Sequence, residues 1–170
     1  MKMFGPKSMS TLLFYLTRLI AIGIVFFVTY IDISFLTKNF ELNKGRYKMD
    51  IPLTGTYIHG DYQLNVIVTI SIGLLFGFIF FYMISNIFKS FKADILFTKV
   101  TVKRMNHFAL LNLLAGPFLY VIIHFVIMQK ENYRDIHNLI IHILLGLLIL
   151  YGTAVFKRGF EVQSEHDLTV

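Results

Sequence analysis

Six histidines, His59, His107, His124, His137, His142 and His166, are the residues whose type most readily suggests metal binding or proton relay. Their spacing does not suit a ligand pair. No two are three or four apart, and His137 and His142 are five apart, so no pair projects from one helical face. His124 and His137 can approach across the short connection between the last two apolar segments, and His142 faces either a helix bundle or headgroups. The expectation is interfacial or hydrogen-bonded histidines, with no metal and no cofactor. The chain has no cysteine, which removes thiolate ligands, thiol nucleophiles and disulfides. It also lacks a G-x-S-x-G, a phosphate loop, a G-x-G-x-x-G and a pair of carboxylates within an apolar run, so no catalytic residue is assigned and an enzyme is not expected.

Two other groups of residues attract attention. Arg18 interrupts an apolar run, and with Asn112 and His124 it forms a candidate intramembrane polar site. Arg18 lies two turns into its segment, where its stem can lift the guanidinium to the headgroups, or it pairs with a partner. The second group is a basic stretch, Lys89 to Arg104, and an acidic tail. Lys99, Lys103, Arg104, Glu161, Glu165 and Asp167 are candidate contacts for anionic lipid headgroups or a protein partner. The basic stretch has no interleaved aromatic platform, so direct nucleic-acid binding is not expected.

The elements that hold these residues follow from hydropathy. Of the 170 residues, 56% are hydrophobic and 15% charged, and the apolar ones gather into long charge-poor runs, as a hydrocarbon slab requires. The expected fold is a single all-α transmembrane domain, a four-helix bundle with helices at about 11–31, 64–88, 106–128 and 137–157. No small-x-small cleavage site follows the first run, so an uncleaved anchor is expected. Gly73 and Gly77 form a G-x-x-x-G pair suited to packing within the bundle or to a homo-oligomer, and Pro117 should kink the third helix.

Between the first two helices, residues 32–62 form a polar loop of zero net charge. Alternation on both sides of Asn43-Lys44-Gly45 predicts a small β-hairpin, with Asn and Gly supplying positive φ. Pro52 should end a strand or lie at an edge, and Thr54 to Tyr57 suggest a second turn. Such a hairpin must lean on the bilayer or the helix ends. Ten of the 16 basic residues lie in the N-terminal part, the 89–105 loop and the 157–170 tail. The other six sit in loops where acids match them. The positive-inside rule then puts both termini and the basic loop in the cytoplasm and the hairpin outside.

Phe97-Thr98 followed by Val102-Lys103-Arg104 forms one motif. Val155-Phe156-Lys157-Arg158-Gly159, then Glu161-Val162-Gln163, Glu165 and Asp167-Leu168-Thr169-Val170, forms a second. On these two the chain resembles the bacterial membrane family called domain of unknown function 2975. The resemblance implies a small protein of the bacterial cytoplasmic membrane, often encoded beside a short helix-turn-helix transcription regulator, and so a cytoplasmic partner. One departure matters: the family usually completes a capping box after the threonine, whereas Lys99, Val100 and Thr101 follow here. Thr98 can still cap through its own hydroxyl, but Lys99 and Lys103 then sit at the positive end of a helix dipole. The leading expectation is a non-enzymatic regulatory or sensory module. A transporter or channel subunit, and an immunity-type protein recognising an external peptide through the hairpin, are the alternatives.

Overall fold

The computed structural model describes residues 2–52, 54–132 and 136–167, except for the side chains of His166 and Asp167. The balancing charges Arg134 and Asp135, and the Leu168-Thr169-Val170 close, lie outside these residues. Four helices are long and apolar enough to cross a membrane, and large apolar side chains such as Leu19, Phe26 and Leu148 face outward, as a lipid-immersed surface requires.

Helix α1, Met9–Thr37, runs six residues past its expected end. Nothing in Asp32 to Thr37 breaks a helix, and the chain stops only at Lys38, whose left-handed backbone (φ 55°) turns its N–H onto the carbonyls of Phe35 and Ser34. One consequence corrects the placing of Asp32 at the start of the polar loop. Asp32 belongs to α1 rather than to the loop, and its Oδ1 accepts the Ser71 hydroxyl at 2.6 Å.

The expected hairpin is part of a three-stranded antiparallel sheet of β1 (Glu41–Asn43), β2 (Arg46–Asp50) and β3 (Tyr57–Asp61), in that order. Asn43 pairs with Arg46, which leaves Lys44 (φ 48°) and Gly45 (φ 77°) as the two turn residues. The positive φ therefore falls on Lys44 and not on Asn43, as a two-residue hairpin turn demands. Strand β2 ends two residues before Pro52. A turn through Gly55 (φ 66°) then returns the chain as β3, in the register Asp50 opposite Tyr57 to Arg46 opposite Asp61.

One face of β2 turns Tyr47 and Met49 onto Ile31 of α1, with Phe27, Phe35, Ile70 and Leu74 around them. The sheet thus leans on the ends of α1 and of helix α2 (Leu64–Phe91), and the Tyr30 hydroxyl donates to the Asp50 carbonyl. Burial, and secondarily the Asp61 charge, push the Tyr47 phenol above its ordinary pKa. The outer face carries Arg46 and Lys48, paired with Asp61 at 3.5 Å and Glu41 at 3.8 Å. These pairs are exposed and add little stability.

Helix α2 spans Leu64–Phe91. The third helix, α3, is the continuous span Lys99–Ile127. It begins seven residues before its expected start and α2 ends three residues after its own, so most of the expected basic loop is helix. It is α-helical over Lys99–Leu110 and Gly116–Val121 and π-wound over Leu111–Ala115 and Ile122–Ile127. The first π-turn immediately precedes Pro117. The Gly116 N–H reaches Leu111 O, five residues back, so a wider turn leads into the proline at which the kink is expected. Helix α4, Ile136–Asp167, absorbs much of the expected tail.

At the end away from the sheet, the Gly5 N–H bonds the Phe91 carbonyl at 3.0 Å and Phe4 meets the Phe91 ring. Between the two ends, Ile87, Met105 and Phe108 form the core where α2, α3 and α4 meet.

The Gly73-Gly77 pair does not set the tightest approach. A Cβ at Gly73 would meet nothing within 4 Å, and one at Gly77 only Ile24 at 3.8 Å. Among the helices, the close glycine contacts lie between α4 and either α3 or the Phe97 that precedes it. A Cβ at Gly146 would fall 2.6 Å from Leu113, at Gly152 3.3 Å from Met105, and at Gly159 2.6 Å from Phe97.

Candidate partner-docking face

The start of α3 is fixed by Thr98, extended at φ −129°, whose hydroxyl accepts the Thr101 N–H at 3.1 Å. Thr101 occupies the place of the acidic or amide residue in a capping box. Its side chain is buried and pairs hydroxyl to hydroxyl with Thr98 at 2.9 Å. The Thr98 N–H bonds Leu96 O instead, at 3.1 Å, so the missing reciprocal bond is replaced locally.

One residue earlier, the Phe97 ring lies against the bare backbone of Gly159 and 5.2 Å from the Phe156 ring, which stacks in turn on Phe91 of α2 at 5.3 Å. The phenylalanine-threonine motif and the basic-glycine motif are therefore two sides of one contact. Gly159→Ala should destabilise the protein by about 1–2 kcal/mol through overpacking. Phe97→Ala in the same chain should cancel most of that cost, because the two sites share the contact. Denaturant unfolding of the four species of the cycle in mixed micelles is the check, and additive costs would place the clash elsewhere.

Grooves flank this seam. One of about 830 Å³ runs along α4 past Phe97, Val155, Gly159 and Val162 and is almost wholly apolar. The other, about 460 Å³, lies between α3 and α4, with Val102 and Phe160 in its lining and Lys99, Lys103 and Lys157 around it. Lys99 Nζ stands 5.9 Å from the Phe160 ring. Glu161 also lines this groove, but its carboxylate is held by Arg158 at 3.6 Å and Lys157 at 4.0 Å on its own helix. Among the described residues Lys99 and Lys103 make no ion pair. Glu165 is exposed one turn further on, and the Asp167 side chain lies outside the described residues.

Arg104 does not share this groove. It turns to α2 and donates to the Asn86 carbonyl at 3.1 Å and the Ser90 hydroxyl at 2.8 Å. Arg18 meets the same residue: its Nη2 donates to Asn86 Oδ1 at 3.3 Å, with the guanidinium 4.4 Å from the Tyr82 ring centre. Asn86 carried no signal in the sequence beyond being an amide near the end of an apolar run.

The three residues of the candidate intramembrane site are not brought together. Asn112 is fully buried at the first π-turn, donates to Phe108 O at 2.8 Å and faces His142 Nδ1 at 2.8 Å. His124 is buried in the second π-turn, bonded to the Asn132 carbonyl and stacked on Tyr120, so its contact is not with His137. Arg18, Asn112 and His124 thus occupy three separate contacts rather than one path.

Four apolar helices, a three-stranded sheet at one end and a glycine-packed seam with basic rims at the other define a multi-pass membrane protein with one elaborated end. The chain belongs to the family described as Protein of unknown function (DUF2975), whose model matches residues 49–170. Both motifs of the seam fall inside that match, and α1 with Arg18 falls before it. No curated protein and no solved structure matches the chain.

Proposed function

We propose that the chain is a non-enzymatic regulatory or sensory module of the bacterial cytoplasmic membrane. Both termini and the Lys89–Arg104 stretch face the cytoplasm, and the sheet faces outward. The α3–α4 groove docks one helix of a small soluble protein with an acidic edge, a helix-turn-helix regulator of the kind the family resemblance implies. One observation carries this reading: Lys99 and Lys103 stand at the positive end of the α3 dipole, without a carboxylate partner among the described residues, beside an apolar lining of Val102 and Phe160. Cations there are unfavourable for the helix alone, and an acidic helix edge above an apolar anchor offsets that cost. The orientation rests on the ten basic residues at this end.

The test is binding of a small helix-turn-helix regulator, of the kind the family resemblance implies, to the full-length protein in nanodiscs. Lys99→Glu with Lys103→Glu should weaken it about fivefold per lysine, with a matching loss of salt dependence. Truncation after Gly159, which removes Phe160 and Glu161, should abolish it. Binding that survives both changes overturns the proposal. Because the chain has no cysteine, Lys44→Cys and Lys103→Cys report orientation against a blank background. The first should label only from outside and the second only from the cytoplasm.

A further inference from the structure

Arg18 and Arg104 come from different helices to one residue of a third, and neither meets a carboxylate among the described residues. Arg104 makes both hydrogen bonds from Nη1, and among the described residues its Nη2 and Nε donate to no partner. A guanidinium has five N–H donors in a planar fork, and a neutral amide and a carbonyl do not balance two cations near the edge of a hydrocarbon slab. Beside them lies a cavity of about 210 Å³ lined by Tyr82, Met83, Asn86, Arg104 and His107. Arg18 is nine residues from the start of α1, Asn86 five from the end of α2, and Arg104 five from the start of α3. At 1.5 Å per residue, all three lie roughly 8–13 Å inside the helix ends, the depth at which stems reach back to headgroups.

We infer that the Arg18–Asn86–Arg104 cluster is a binding site for a phosphate group. Its chemistry is shared by the phosphodiester of an anionic phospholipid and by free phosphate. Guanidinium forks match phosphate oxygens in pairs, which an ammonium does not. Asn86 accepts from both cations, Arg18 on its side chain and Arg104 on its carbonyl, and Arg104 lines the small space together with Asn86 and Tyr82, the two residues that Arg18 touches. This site is distinct from the α3–α4 groove, which uses Lys99 and Lys103 on another face of α3.

The full-length protein, delipidated in a neutral detergent, is titrated with phosphatidylglycerol, phosphatidylcholine or inorganic phosphate. Bound species are read by native mass spectrometry and stability by thermal melting. Phosphatidylglycerol should bind and raise the melting temperature, and phosphatidylcholine should do neither. Arg18→Gln and Arg104→Gln should each weaken the binding about fivefold, and Arg104→Lys should weaken it too, because charge without the fork is not enough. Lys99→Gln with Lys103→Gln should leave it unchanged. Inorganic phosphate that matches the lipid, with the same arginine dependence, assigns the site to a soluble phosphate. Equal binding of the two lipids, or lipid binding untouched in the arginine variants, overturns the inference. Should Arg104→Gln fail to fold, Arg18→Gln carries the test, since it removes one side-chain hydrogen bond and ring contacts only.

Discussion

Replacing Phe108 by alanine should lower the unfolding free energy by roughly 2–3 kcal/mol, the expected cost of a phenyl-sized void at about 24 cal/mol per Å³. The ring is fully buried, 5.0 Å from Phe80, in the core that α2, α3 and α4 share through Ile87 and Met105. In lipid the transfer term that dominates such losses in water is small, because the acyl chains are as apolar as the core. What remains is lost dispersion across the void, which is why the figure falls below the soluble range. Phe108→Leu, which keeps most of the volume, should cost less than about 1.5 kcal/mol. Unfolding in mixed micelles by denaturing detergent measures both, and equal losses would show that the core is not packed around this ring.

A second large effect is expected at Gly146. Its Cβ position falls 2.6 Å from Leu113 Cγ and 3.1 Å from the backbone oxygen of Ala109. Gly146→Val should therefore cost about 1–3 kcal/mol by forcing α3 and α4 apart. Leu113→Ala in the same chain should recover part of the loss but not all, since the backbone oxygen cannot move out of the way. Gly73→Val meets open space and should cost well under about 1 kcal/mol beside it. The same unfolding assay orders the two glycines, and an equal or greater loss at Gly73 would contradict the close α3–α4 approach.

That contrast shows what the sequence concealed. Gly73 and Gly77 satisfied a known four-residue spacing, whereas Gly146, Gly152 and Gly159 follow one another at six and seven residues, a spacing with no motif, and meet α3 and the Phe97 before it along a single helix that runs to Asp167. Reading α4 as ending at Lys157 left Gly159 outside any helix. The number and approximate place of the four helices were legible because long charge-free runs admit no other structure in lipid. The turn at Lys44-Gly45 was legible from alternation. Strand β3 was not, because Tyr57-Ile58-His59-Gly60-Asp61 pairs only through β2 and has weak local preference. Helix ends were misplaced wherever polar residues continue a helix, as at Asp32 and at Lys99.

The candidate site was half visible. The motifs around Phe97 and Gly159 could be read separately, but that a bare glycine backbone receives a phenylalanine ring is a tertiary fact. The lysines and Arg104 looked like one basic cluster, yet successive residues on a helix point about 100° apart, so Arg104 serves α2 while Lys103 serves the groove. Asn112 and His142 are 30 residues apart and meet only across α3 and α4.

The central claim is that the groove between α3 and α4 is where a soluble cytoplasmic protein docks. It is tested most directly by photo-crosslinking in growing cells, with a benzophenone amino acid in place of Val102 in the groove or of Leu114 on the lipid-facing side of α3. The account predicts an adduct containing a small helix-turn-helix regulator from position 102, none from position 114, and loss of the adduct with Lys99→Glu and Lys103→Glu. Co-purification of that regulator without an adduct at position 102, or an adduct indifferent to the two lysines, would contradict it.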